Sequence, residues 1–113
     1  MTSSVPHVAP QTVRDNAPKL AELTDNVLFG DVWERPELSK RDRSLITITA
    51  LSALGRETQL RGHIQRGLDN GLTHAEISEA ATHLAFYAGW PAAMTAVNVL
   101  AAITNTPRAR AHH

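Results

Sequence analysis

The chain of 113 residues contains no cysteine. That absence excludes disulfide bonds, thiolate metal sites and every reaction that uses a thiol nucleophile or a redox-active dithiol. No stretch approaches the run of about 20 apolar residues that spans a bilayer. The opening segment MTSSVPHVAPQ also lacks the positive start and apolar core of a secretory signal. We therefore expect no membrane partner and a cytoplasmic location.

The sequence also carries no net charge at pH 7 when its histidines are neutral. Lysine and arginine together number 11, aspartate and glutamate together also number 11, and no basic run occurs. A nucleic-acid partner requires a positive surface field, so we expect none. The length corresponds to one domain that can bury roughly two thirds of its unfolded surface.

The polarity pattern is helical throughout, with no segment that alternates like a strand and no internal repeat. It predicts an all-α, five-helix bundle. Residues 1–16 lack periodicity and are predicted to be a mobile N-terminal arm, residues 17–106 the helical domain, and residues 107–113 a C-terminal tail. The predicted helices run from Pro18 to Gly30, from Ser39 to Gly55, from Glu57 to Asn70, from Thr73 to Ala88 and from Pro91 to Thr104.

Two of these helices, RSLITITALSALG and PAAMTAVNVLAAI, are apolar or small on nearly every face. Such helices are expected to be buried on most sides, which three other helices cannot achieve in so short a chain. We therefore predict a homo-oligomer whose subunits share the burial.

Two predicted helices each carry one histidine in a polar row beside an apolar face. His63 lies at the edge of the arc formed by Leu60, Ile64, Gly67 and Leu68, in line with Arg56, Gln59 and Asn70. His83 belongs to a stripe beside the core arc of Ile77, Ala81, Leu84 and Ala88, and that stripe consists of Glu76, Ala80, His83 and Tyr87. The pattern fits a small-molecule pocket between the two helices, and equally a pair of hydrogen-bonded boundary histidines.

A basic cluster, ELSKRDRS, leads into the helix that follows Ser39. A solvated first turn explains Lys40, whereas Arg43 borders an apolar helix and could hold a carboxylate through a bidentate pair. An anionic substrate is therefore expected. No metal site is predicted, because His63 and His83 lie 20 positions apart with no second ligand at helical spacing.

From Phe29 to Val99 the sequence resembles the carboxymuconolactone decarboxylase family. Three motifs carry the resemblance through their order and spacing: RDRSLITITAL, GRETQLRGHIQRGLDNGLTHAEI and HLAFYAGWPAAM. The resemblance implies an all-helical fold that assembles into trimers or hexamers with active sites at subunit interfaces. It also implies decarboxylation of 4-carboxymuconolactone to 3-oxoadipate enol-lactone, in the protocatechuate branch of aromatic catabolism, without metal or organic cofactor.

The same family includes the alkyl hydroperoxidase D group, which carries a Cys-x-x-Cys pair followed by a histidine. By resemblance, that pair corresponds here to Arg56 and Gln59, and the histidine to His63. A glutamate that the group uses as a proton relay corresponds to Ser44, which cannot titrate. Thiol-based peroxide reduction is therefore excluded, and the decarboxylase branch of the family is retained.

Site roles follow from the polar rows together with the resemblance. His63 is expected to donate the proton or to act as base and donor in turn, His83 and Tyr87 to polarise a lactone carbonyl, and Arg43 or Arg41 to hold a carboxylate. Trp90 would wall the pocket, while Arg56 and Gln59 would shape it or the subunit contact. Two rival hypotheses stay open: a non-catalytic or other-substrate member that binds an aromatic or polyketide-like acid, and an oligomer whose histidines are purely structural.

Overall fold

The computed structural model describes residues 7–105, and every regular element within that range is helical. The all-α class predicted from the sequence is confirmed. The described chain divides into two compact units, one ending at Ser39 and the other beginning at Lys40. The first six residues of the predicted arm, the predicted tail and the terminal His112 and His113 lie outside the described residues. The proposed division into arm, domain and tail stays a prediction.

The N-terminal unit begins with two short helices, α1 over Gln11–Asn16 and α2 over Pro18–Glu22. α2 continues as a π-helical segment over Leu23–Phe29, and a 3₁₀ turn follows over Val32–Glu34. The predicted start at Pro18 is confirmed. The prediction of five helices is wrong, because residues 7–105 contain six α-helices. α1 was missed since it buries no side chain and so leaves no apolar periodicity.

One buried carboxylate organises the N-terminal unit. Asp25 Oδ1 accepts hydrogen bonds from the backbone N–H groups of Val8 (2.8 Å) and Ala9 (2.9 Å). Its other oxygen, Oδ2, lies 2.6 Å from Arg14 Nη2. These interactions lower the pKa of Asp25 to about 2, with the Ala9 amide as the largest cause. The carboxylate thus joins the start of the described chain to the π-helical segment.

The C-terminal unit contains four longer helices: α3 over Lys40–Leu54, α4 over Glu57–Asp69, α5 over His74–Ala88 and α6 over Trp90–Thr104. α4 packs mainly against α3 and α6, and α5 packs against α6 and α3. Their apolar faces meet in one core, formed by Ile48, Leu60, Ile64, Leu72, Ile77, Ala81, Ala96, Val99, Leu100 and Ile103. Burial of this apolar surface is the main force that holds the unit together.

The helix ends follow the signals read from the sequence. Thr73 and Glu76 form the predicted capping box at the start of α5, where the Thr73 side chain accepts from the Glu76 N–H and the Glu76 side chain accepts from the Thr73 N–H. Pro91 lies in the first turn of α6, as predicted. Gly89 separates the two helices with a φ of 100°, a conformation that a residue with a Cβ rarely adopts.

The two helices that are apolar on nearly every face are not buried on most sides within one chain. α3 buries only Ser44, Ile48 and Ser52, which share one face, and leaves Ile46 and Leu54 exposed by 57% and 65%. α6 leaves Met94 and Val97 exposed as well. This agrees with the expectation that one chain cannot cover both helices on most sides. The predicted oligomer, which would cover the remaining faces, stays a prediction.

Hydrophobic spacing predicted a first helix along Leu20, Leu23, Val27 and Leu28, and these four side chains prove to be exposed by 42–55%. Gly30 follows the helix as predicted, and a Cβ there would lie 2.7 Å from the carbonyl oxygens of Asp25 and Asn26.

Within residues 7–105, no helix combines the length and the apolar character that crossing a lipid bilayer requires.

Candidate active site

A cavity of about 600 Å³ lies between α3 and α5 within the C-terminal unit. This volume falls in the range of small-molecule binding sites. α3 contributes residues at intervals of four, and α5 contributes two adjacent rows that face them. The α3 residues of the lining are Arg41, Leu45 and Thr49, and the α5 residues are Glu76, Glu79, Ala80, His83, Leu84 and Tyr87.

Helical periodicity explains why α5 presents a polar wall to the cavity. Glu76, Ala80, His83 and Tyr87 recur every three or four positions, and the structure places all four in the lining, as one face of a helix requires. The adjacent face packs into the core through Ile77, Ala81, Leu84 and Ala85. The predicted core arc was wrong at its last member, because Ala88 is exposed and Ala85 is buried in its place.

Arg41 and Glu76 form an ion pair across the cavity. Arg41 Nη2 donates to Glu76 Oε2 at 2.5 Å, and Arg41 Nη1 donates to Asp42 Oδ1 at 2.7 Å. The hydrogen bond from the Thr73 backbone amide, followed by that from Arg41, lowers the pKa of Glu76 below its ordinary value. Glu76 chiefly raises the pKa of Arg41. Both groups therefore stay charged at neutral pH, and the cavity lining carries charges of opposite sign.

The rings of His83 and Tyr87 stack at the cavity with their centroids 4.9 Å apart. Both side chains are exposed, and they lie one helical turn apart on α5. An imidazole can donate or accept a proton, and a phenol hydroxyl can donate a hydrogen bond. The cavity therefore brings together a cation, two groups able to donate protons or hydrogen bonds, and apolar walls.

His63 lies elsewhere, half-buried on α4 and outside the cavity lining. Burial lowers its pKa below the ordinary value of 6.5, and the charge of Arg66 lowers it further. The predicted pocket between the helices that carry His63 and His83 is therefore not the one observed. A polarity pattern shows which face of a helix is polar, but not which helix lies opposite; here α3 lies opposite α5.

The remaining predicted site residues also fall outside this cavity. Arg43 is half-buried on α3, while Arg56 and Gln59 are exposed at the start of α4. Trp90 lines a separate cavity of about 270 Å³ between α5 and α6, where its ring meets Phe86 edge to face at 5.5 Å. Of the eight residues predicted for the site, the structure places Arg41, His83 and Tyr87 together.

Sequence reasoning assigns no role in the site to two acidic residues of the lining. Glu76 was recognised only as a capping residue and a member of the stripe, and Glu79 not at all. The signal for Glu79 was its position three residues after Glu76 and four before His83, which places it beside the same face. No group of three or more potential metal ligands among His, Asp and Glu occurs within the described residues.

Comparison with known proteins agrees with the family resemblance described for the sequence. Residues 18–102 match the model of a family described as the carboxymuconolactone decarboxylase family. Over 71 residues, the chain is 45% identical to 4-carboxymuconolactone decarboxylase of Acinetobacter baylyi (strain ATCC 33305 / BD413 / ADP1), an overlap of 63% of this chain and 53% of that protein.

A second relative acts, by its name, on a different acid. Over 78 residues the chain is 36% identical to the nitrosuccinic acid decarboxylase npaB of Metarhizium robertsii, which is 69% of this chain and 54% of that protein. A third, an uncharacterized 15.0 kDa protein of Paracoccus denitrificans, is 33% identical over 73 residues, 63% of this chain and 54% of the relative. The chain thus spans about half the length of the curated relatives it matches.

Proposed function

Because the chain belongs to the carboxymuconolactone decarboxylase family, we propose that it decarboxylates a small unsaturated lactone acid. The first candidate substrate is 4-carboxymuconolactone, with 3-oxoadipate enol-lactone as the product, in the protocatechuate branch of aromatic catabolism. Two relatives that are decarboxylases by name support the reaction class. The reaction would use side chains alone, without metal or organic cofactor.

The chemistry sets what the site must supply. Cleavage of the bond between the ring carbon and the carboxylate releases CO₂, and the electron pair of that bond passes into the unsaturated lactone. A proton then adds to carbon, so that one carboxylate is replaced by one hydrogen. The protein must hold an anion, stabilise negative charge on the lactone oxygen and deliver a proton.

Within the cavity these tasks distribute over three residues. Arg41 would hold a substrate carboxylate, since its guanidinium lines the cavity and a charge-assisted pair is strong. His83 and Tyr87 would donate hydrogen bonds to the lactone carbonyl, and His83 can also deliver the proton. The convergence of Arg41 with the stacked His83 and Tyr87 on one cavity is the observation that carries this proposal.

The other predicted site residues form a second rank of proposals. His63 with its lowered pKa is neutral at pH 7 and is therefore suited to accept a proton rather than to donate one. Arg43 is the alternative anchor for a carboxylate. Trp90, Arg56 and Gln59 would act at the subunit contact or at a wall completed by it.

The proposal includes a homo-oligomer, a trimer or a hexamer. Its support is the set of large apolar side chains that one chain leaves at its surface, among them Phe86 at 74% and Trp90 at 60% exposure. Sedimentation at micromolar concentration should show one species of three or six chains. A well-folded monomer under these conditions would rule the assembly out. The cytoplasmic location stays a prediction.

The deciding experiment is a coupled assay in which 4-carboxymuconolactone is generated in place. Loss of its ultraviolet absorbance and release of CO₂ should both follow addition of the protein. Saturable binding of the lactone acid without CO₂ release would instead support the rival hypothesis of a non-catalytic member that binds an aromatic or polyketide-like acid. Absence of both binding and release would favour the structural hypothesis or a family member that acts on another substrate.

A further inference from the structure

The two carboxylate oxygens of Glu76 serve two different partners. Oε1 accepts the backbone N–H of Thr73 at 2.8 Å, which completes the capping box of α5. Oε2 accepts the hydrogen bond from Arg41 Nη2. The capping bond keeps Glu76 in place when Oε2 loses its partner, so the ion pair can open while α5 stays capped.

Arg41 is likewise held by more than Glu76. Its Nη1 donates to Asp42, the next residue on α3, and the arginine side chain is 37% exposed. Loss of the bond to Glu76 therefore leaves the guanidinium tethered at the cavity. Each of the two groups therefore keeps a second partner that holds it at the cavity when the bond between them is broken.

The charge of the cavity lining disfavours an anion while the bond between Arg41 and Glu76 is closed. Among the described residues that line the cavity, Arg41 is the one Lys or Arg side chain, and Glu76 and Glu79 are both acidic. A substrate carboxylate that approaches Arg41 meets the charge of Glu76 on the same guanidinium. Two carboxylates on one cation repel each other, so Glu76 opposes the binding of every anion at this position.

We propose that Glu76 is a specificity-determining residue, an internal competitor that occupies Arg41 and must yield it to the carboxylate of the substrate. This inference rests on the proposed function, because it takes the cavity as the substrate site. It assigns the site to carboxylic acids that can replace Glu76 on Arg41. Neutral lactones and esters of the same shape lack the charge needed to displace it.

Three variants separate this role from the alternatives. Glu76→Gln keeps a capping side chain and removes the competing charge. Glu79→Gln removes an equal charge from the same cavity and the same helix. Unlike Glu76, Glu79 forms no ion pair within residues 7–105. Thr73→Ala removes the reciprocal cap and leaves the Arg41–Glu76 pair in place.

The measurement is calorimetric titration with 5-oxotetrahydrofuran-2-carboxylate, a saturated lactone acid that cannot react. Glu76→Gln should lower its Kd about two- to fivefold, as expected for a partly exposed ion pair. Glu79→Gln should change Kd by clearly less, and Thr73→Ala should lower Tm without changing Kd. In the wild-type protein, the carboxyl ¹³C resonance of Glu76 should shift on addition of the acid and not on addition of its methyl ester.

Four results would overturn the inference. A weaker affinity in Glu76→Gln would show that Glu76 positions Arg41 rather than competing for it. An equal fall in Kd in Glu76→Gln and Glu79→Gln would show a general effect of the charge in the cavity. A Glu76 resonance that does not shift would show that the ion pair does not open. Tight binding of the probe in the absence of any decarboxylation would contradict the proposed reaction and leave this inference standing. Failure of both the wild-type protein and Glu76→Gln to bind the probe would overturn the inference and the proposed function together.

Discussion

The imidazole of His83 stacks on the phenol ring of Tyr87 with the ring planes 29° apart. The pair lies one turn apart on α5, and both rings line the cavity that Arg41 enters from α3. Stacking favours this mutual orientation of the two rings, because rotation of one would break the contact with the other. A carbonyl bound there would meet an imidazole and a hydroxyl side by side.

His83→Gln is expected to lower kcat for the lactone acid by about 10²–10⁴, the usual contribution of a general acid or base. Tyr87→Phe keeps the ring contact and removes one hydrogen bond, so it should cost about tenfold or less. Steady-state kinetics on both variants checks this. His74→Gln is the matched control, since His74 is exposed at the start of α5 and outside the cavity lining. An unaffected kcat in His83→Gln would remove His83 from the mechanism.

Arg41→Gln should raise KM about ten- to hundredfold with a much smaller effect on kcat, because a charge-assisted hydrogen bond to the substrate carboxylate is lost. Arg43→Gln, two positions away on the same helix, should leave KM nearly unchanged, since Arg43 does not line the cavity. Kinetics of the two variants at equal ionic strength makes the comparison. The opposite order of effects would transfer the carboxylate-binding role to Arg43.

His63 should titrate below 6.5, because burial and the nearby charge of Arg66 both disfavour its protonated form. The unfolded chain then binds a proton at this site at higher pH than the folded chain does. The free energy of unfolding should therefore fall as pH drops below about 6.5, and His63→Gln should lack that part of the decrease. NMR titration of the ring and urea unfolding across pH 5–8 test this, and a ring pKa at or above 6.5 would contradict it.

Catalysis gives His63 an independent test. His63→Ala should lower kcat if the residue exchanges a proton with the substrate, provided that sedimentation shows the variant still assembles. Full turnover in an assembled variant would exclude His63 from the mechanism and favour its structural role.

Asp25 should make the N-terminal unit sensitive to acid. Its pKa is lowered to about 2 in the folded chain by the amides of Ala9 and Val8 and by Arg14, against an ordinary value of 3.8. A lowered folded pKa stabilises the protein above the unfolded pKa, so this contribution should be lost as pH falls from about 4 to about 2. Asp25→Asn should remove that pH dependence.

Trp33 fluorescence reports on this unit, because the indole is buried and stacks on Phe29 with ring centroids 5.5 Å apart. A Trp90→Phe background removes the second tryptophan. If the acid unfolding curves of this background superimpose with and without the Asp25→Asn substitution, the role given to the carboxylate is contradicted.

Local signals in the sequence were sufficient for much of the fold. The capping box of Thr73 and Glu76, the glycine between α5 and α6 and the first-turn proline of α6 all act over three or four residues. Such signals are readable without knowledge of the partner helices. α1 escaped this reasoning because it is short, and the π-helical segment after Glu22 escaped it because polarity does not specify the hydrogen-bond pattern.

The polar stripe of α5 was likewise determined by the sequence, since 3.6 residues per turn bring Glu76, His83 and Tyr87 onto one face. The tertiary structure alone decided what that face meets. α5 packs on α6 and α3, so the stripe is opposed by Arg41 and not by His63. The partner of a helical face depends on how all apolar faces are buried at once, and this is a property of the whole packed core and not of any one segment.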